Sequence, residues 1–101
     1  MLDLPKLQQE IFENKISKGF NTTDINLEFC YAYGELAEAF ESYLNKSPEV
    51  GEELADVFIY VSALAKMLNV DLEKEILKKI EKNKRRQYQM IDGVLVRKKE
   101  A

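Results

Sequence analysis

Histidine and tryptophan are absent, cysteine occurs once, and a chain of 101 residues holds only two prolines and four glycines. With no histidine and Cys30 alone, no intrachain disulfide can form, and zinc held by cysteine and histidine is excluded. Cys30 stands among Phe29, Tyr31 and Tyr33, which predicts a buried thiol rather than a nucleophile. So few glycines and prolines disfavour a turn-rich β fold and favour helices. No apolar run reaches the roughly 20 residues that span a bilayer. Met1-Leu2-Asp3-Leu4-Pro5 also lacks the basic segment and apolar core of a secretory leader. A cytoplasmic protein with no membrane partner is the expectation.

What is present is charge, unevenly placed. Charged residues make up 33% and hydrophobic residues 46% of the chain, with a net charge of -3 and a pI of about 5.1. Between Asp24 and Asp56 there are nine acids and one base, Lys46; between Lys78 and Lys99 there are nine bases against Glu81 and Asp92. One half can carry metal while the other faces phosphates. At 11.7 kDa the chain reads as one domain, residues 1–101, with a helical core over about 5–88. A monomer of this size has a small core, so an oligomer would help to cover its apolar faces.

Periodicity predicts four helices. Leu7, Ile11, Phe12 and Ile16 give an apolar side to a first helix over 5–17, which Gly19 ends. Asn21-Thr22-Thr23-Asp24 supplies caps for a second helix over 24–45, whose stripe runs Leu27, Tyr31, Gly34, Ala37, Phe40, Tyr43. Gly34 inside it predicts close approach by a neighbouring helix or ligand. Ser47-Pro48 starts a third helix over 48–68, apolar on several faces after Leu54 and therefore central or at a subunit interface. A fourth opens at Asp71 and runs to about 87, with Leu72, Ile76, Leu77 and Ile80 as its buried stripe. Ile91 to Val96 then reads as an extended tail or a hairpin about Asp92-Gly93.

Glu35 with Glu38, and Glu53 with Asp56, are two carboxylate pairs, each three apart on a helix and therefore on one face. The segment between them is long enough to finish a helix, turn at Ser47-Pro48 and return, which sets the pairs opposite each other. Asp56 is the most telling of the four, because Leu54 to Ala65 is apolar around nearly the whole helix and an acid there needs a cation or a dedicated donor. Four uncompensated acids repel; Mg²⁺, or Mn²⁺, takes oxygen ligands and bridges carboxylates to substrate phosphates. Solvated surface acids are the plain alternative for Glu35 and Glu38.

Gly34-Glu35-Leu36-Ala37-Glu38-Ala39-Phe40, then Glu52 to Tyr60, then Val70 to Glu73 and Lys79 to Tyr88, resemble in order the MazG-type nucleotide pyrophosphohydrolases of the all-α NTP pyrophosphatase superfamily. The resemblance covers about 24–88. It implies an all-α, four-helix fold completed by homo-oligomerisation as a dimer or tetramer. It also implies Mg²⁺-dependent cleavage of nucleoside triphosphates, among them non-canonical or deoxy forms, to monophosphate and pyrophosphate. By position, Glu35, Glu38, Glu53 and Asp56 become the metal acids; Glu38 and Glu35, in that order, are the candidates to orient or deprotonate the water. Lys79, Asn83 and Arg86 fall near the substrate phosphates, and Tyr88 closes the pocket. This chain departs from the pattern at Ala32, where many relatives carry a further glutamate; Glu28 and Glu41 are the nearby acids that can substitute. The departure keeps a second reading open, a catalytically weak or inactive metal-binding helical interaction protein.

Phe12, Phe20, Phe29, Tyr31, Tyr33, Phe40, Phe58 and Tyr60 can stack on a base, with a place in the core or an interface as the plainer role of each, and their pattern leaves base and sugar preference unranked. Lys78, Lys79, Lys82, Lys84, Arg85 and Arg86 permit weak nucleic-acid contact, but overall acidity argues against extensive binding.

Overall fold

The computed structural model describes residues 1–99, in the order α1 (Leu4–Ser17), α2 (Ile25–Leu44), α3 (Val50–Met67), α4 (Leu72–Arg85), β1 (Tyr88–Ile91) and β2 (Val94–Arg97). Carboxylate caps open three of the helices: Asp3 accepts from Lys6 N, Asp24 from Leu27 N and Asp71 from Lys74 N. α3 begins later than the Ser47-Pro48 signal predicts. Ser47 Oγ accepts from Glu49 N at 3.1 Å, which spends the hydroxyl on a turn over residues 48 and 49, and the helix starts at Val50 without a side-chain cap.

The ends of α1, α2 and α3 share one device. Gly19, Lys46 and Asn69 take positive φ, and the next amide in each case reaches back to the last turn: Phe20 N to Lys15 O, Ser47 N to Ser42 O, Val70 N to Ala65 O. These are Schellman closures, which satisfy the carbonyls a helix end leaves open. The closure at Lys46 lets the five residues 45–49 turn α3 back along α2, the most extensive packing in the molecule. α1 lies on α3, where the buried Gln8 amide donates to Ser62 O at 3.1 Å. α4 packs on α1. Asp92 and Gly93 both have positive φ and join β1 to β2 in an antiparallel hairpin, Tyr88 opposite Arg97 and Ile91 opposite Val94.

The core is small and sits where α3 crosses its neighbours, at Ala39, Ala63, Leu64 and Ala65. Four expectations about burial are corrected. Cys30 is exposed; Gly34 has nothing within 4 Å of where a Cβ would stand; α4 buries none of its stripe; and Ile16 projects from the apolar side of α1. Among the described residues the outward faces of α2 and α4 have no neighbour in the protomer, which accounts for Cys30, Gly34 and the α4 stripe; Ile16 lies on the last turn of α1. Among the described residues no helix is long and apolar enough to cross a membrane.

Candidate metal centre

The return of α3 along α2 sets the two acidic faces against each other. Glu35, Glu38 and Glu53 each present a carboxylate oxygen, and these oxygens lie within 4.8 Å of one another. Asp56 is half-buried one turn further along α3 and stands outside that trio, though its charge reaches both Glu35 and Glu53. Burial, followed by the charges of Glu38 and Asp56, pushes Glu35 above its ordinary pKa of 4.5. Glu53 is raised in the same order, by burial and then by Glu38 and Asp56, with further contributions from Glu52 and Glu49.

The charges that act on Glu35 and Glu53 are all negative, and neither ion pair among the described residues involves this cluster. Glu35 Oε2 is buried with no hydrogen-bond partner. An orphaned buried oxygen of this kind costs on the order of 1–3 kcal/mol, and more when charged. The set contains only hard oxygen donors, so it fits Mg²⁺ or Mn²⁺ and not a thiolate- or imidazole-seeking ion.

No further glutamate joins this group among the described residues. Position 32 contributes only a half-buried methyl, and neither predicted substitute for it is in place. Glu28 has 0% exposure and is taken by α1: Lys15 Nζ stands 2.7 Å from its Oε1, while Oε2 accepts from Asn21 Nδ2 at 3.1 Å. The Lys15 contact is a close ion pair without the alignment of a good hydrogen bond. Glu41 is exposed and lies outside the clustered oxygens.

The predicted phosphate-side residues form a separate group on α4 and the hairpin. Arg86 Nη1 donates to Asn83 Oδ1 at 3.2 Å, and the Arg86 charge, then burial, then Lys82 and Arg97, lower the pKa of Lys79. Arg86 Nε is buried and unpartnered. Tyr88 is exposed on β1, opposite Arg97. Every charge acting on Lys79 is positive, and every charge acting on Glu35 and Glu53 is negative. Within one protomer, then, the two halves of the predicted site are electrostatically apart.

Sequence reasoning counted Tyr31 and Tyr60 among the aromatic residues but did not set them, or Lys15, beside the acids. Tyr60, one turn beyond Asp56, meets Tyr31 edge to face with ring centroids 6.2 Å apart, and the Lys15 ammonium lies 5.3 Å from the Tyr60 ring. Burial and the charges of Glu35, Glu28 and Asp56 raise its phenol. The available signal was Lys15 itself, a cation at the seventh position after Gln8 on the side of α1 that carries Ile11 and Phe12.

No curated protein and no solved structure matches this chain. The family model described as MazG-like matches residues 26–99, which leaves out α1 and takes in α2, α3, α4 and the hairpin. With well over half its length so matched, and with the acidic α2–α3 face that its sequence pattern led us to expect, the chain belongs to the MazG-like family.

Proposed function

We propose that this protein is a Mg²⁺-dependent nucleoside triphosphate pyrophosphohydrolase, one domain over 1–101, acting in the cytoplasm as a homodimer or homotetramer on non-canonical or deoxy nucleotides. The observation that carries the reading is the acidic trio with its orphaned, buried Glu35 oxygen. Glu35, Glu38 and Glu53, with Asp56 at the margin, would hold the ion. When bound, Mg²⁺ supplies neutralisation of phosphate charge and a lowered pKa for a coordinated water. Glu38 is the exposed member of the trio and takes the proton of the attacking water. The water oxygen bonds to the α-phosphorus, the bond to the bridging oxygen breaks, and pyrophosphate leaves. Lys79 and Arg86 offset the charge that develops on the departing oxygens.

Those cations reach the acids most simply from a second copy. The protomer exposes 8123 Å², against about 5,900 Å² expected of a folded monomer of this mass. The surplus of about 2,200 Å² per protomer falls in the range that obligate interfaces cover. Its radius of gyration is 17.3 Å, where a compact chain of this length has about 13 Å.

The second reading, a metal-binding relative with weak or no turnover, is favoured because no acid among the described residues replaces the one missing at Ala32. Incubation with Mg²⁺ and a panel of ordinary, deoxy and modified triphosphates separates the two. Monophosphate and pyrophosphate are expected as first products, and Asp56→Ala should remove turnover while circular dichroism stays native. Orthophosphate as first product rejects the proposed route. Mg²⁺ binding without turnover favours the second reading.

A further inference from the structure

Neither strand of the hairpin packs extensively on a helix, and every strand residue is exposed. We propose that β1 pairs antiparallel with β1 of a second copy, Gln89 opposite its own counterpart across a two-fold axis, so that two hairpins join into one continuous sheet. The inference rests on the homo-oligomer in the reading above and adds to it the segment and register through which copies meet.

The register of the hairpin decides which backbone groups are free. Ile91 and Val94 flank the tight Asp92-Gly93 turn and so form a hydrogen-bonded pair. Bonded and non-bonded pairs alternate along an antiparallel ladder, and Lys98 N donates to Gln87 O at 2.8 Å where that alternation requires it. Tyr88 with Arg97 and Met90 with Leu95 are then the non-bonded pairs. The N–H and C=O groups of Tyr88 and Met90 therefore point away from β2, and no hydrogen bond from the described residues reaches them. A strand edge in this state is a template for a further strand.

Charge separates the two edges of the ribbon. β2 ends at Arg97, and Arg97, Lys98 and Lys99 line a cleft with Lys82 and Arg86, a positive cluster that repels a like-charged copy and guards that edge. β1 reads Tyr88-Gln89-Met90-Ile91 and carries neither a charge nor a proline. A second copy meets no repulsion there. Elimination then gives the register. With Gln89 at the axis, Tyr88 of each chain faces Met90 of the other, every outward group finds a partner, and the thioether lies beside a tyrosine ring, a favourable contact. An axis at Tyr88 would set Met90 against Arg86, whose N–H is already given to Asn83 O at 3.3 Å; an axis at Met90 would set Tyr88 against Asp92 in the turn.

A two-stranded ribbon is marginal alone, and further strands stabilise it. The protomer's excess surface calls for a partner, and only Arg86 and Gln87 separate β1 from α4, whose Leu77 and Ile80 are exposed. So short a strand does not hold two chains by itself; its pairing accompanies contacts of the helices.

The test places Gln89→Cys in the full chain together with Cys30→Ser, which removes the native exposed thiol. In a non-bonded antiparallel pair the Cα atoms stand about 4.5 Å apart, within disulfide reach. Mild oxidation should convert most of the protein to a covalent dimer on a non-reducing gel, with circular dichroism unchanged. Val96→Cys in the same background is the counterpart for the other edge: in the proposed sheet its copies lie about 14 Å apart and should stay unlinked, whereas pairing through β2 would link them. In the parent, the Tyr88 and Met90 amides should exchange about 10-fold more slowly at high than at low protein concentration. Linking at Val96 instead, equal linking at both positions, or no link at Gln89 in folded protein would overturn the assignment. Ultracentrifugation and pyrophosphate release are read separately. An oligomeric parent without the Gln89 link removes the strand pairing alone, as when the edge serves a different protein. A parent that stays monomeric at high concentration removes both the oligomer and the pairing. A Gln89 link in protein that releases no pyrophosphate removes the hydrolase reading and leaves the pairing in place.

Discussion

Glu35 and Lys15 are the two residues whose burial sets the character of this molecule. Glu35 and Glu53 have folded-state pKa values above the ordinary 4.5, so the folded chain holds more protons than the unfolded one above that point. Their contribution to stability is full below about 4.5 and is lost as pH rises through the raised values. Metal-free protein should therefore lose melting temperature as pH increases from about 4.5 toward neutrality, and Mg²⁺ should restore it. Glu35→Gln removes the repulsion: thermal melts in chelator should place the variant above the parent at neutral pH and show a smaller gain from Mg²⁺. A variant less stable than the parent at neutral pH would contradict the electrostatic account. Lys15→Ala leaves Glu28 charged in a fully buried site, a loss of about 3–5 kcal/mol that urea denaturation would register.

At the level of elements, the chain ends its helices well and packs them sparsely. Lys46 occupies a left-handed position, φ 54°, where a side chain is strained, and it does so to close α2 and aim α3. Gly19 fills the corresponding position after α1 without that strain. Lys46→Gly should accordingly stabilise the protein by about 0.5–1 kcal/mol, seen as a higher melting temperature with unchanged helicity. The hairpin presents the contrary case. All eight of its strand residues are exposed, and a two-stranded ribbon is marginal on its own, so its order depends on what it meets.

Across the whole molecule the dominant quantity is uncovered apolar surface. Ile76, Leu77 and Ile80 on α4 face outward, as do Leu36, Phe40 and Tyr43 on α2. Exposed apolar stripes of this kind on the helices of a small chain mark interaction faces. Ile76→Glu with Ile80→Glu should shift the protein from dimer or tetramer to monomer in analytical ultracentrifugation, with helicity largely kept. For the parent, melting temperature should rise with protein concentration, as mass action requires of an assembly that folds together. Ultracentrifugation finding a stable monomer at high concentration would remove the oligomer from the proposal.

Local rules were enough to place four helices and the Asp92-Gly93 turn, because caps, helix-ending glycine and three-residue acid spacing act between near neighbours in the chain. The same spacing brought out Glu35, Glu38 and Glu53. Other features arise only between distant segments: the Lys15–Glu28 pair, the cavity beside Tyr60, the exposure of Cys30 and the open space around Gly34. A periodic stripe states that a face is apolar but not whether anything covers it. That depends on which helices meet in three dimensions, and for α2 and α4 the described residues of one protomer supply no neighbour to cover their outward faces.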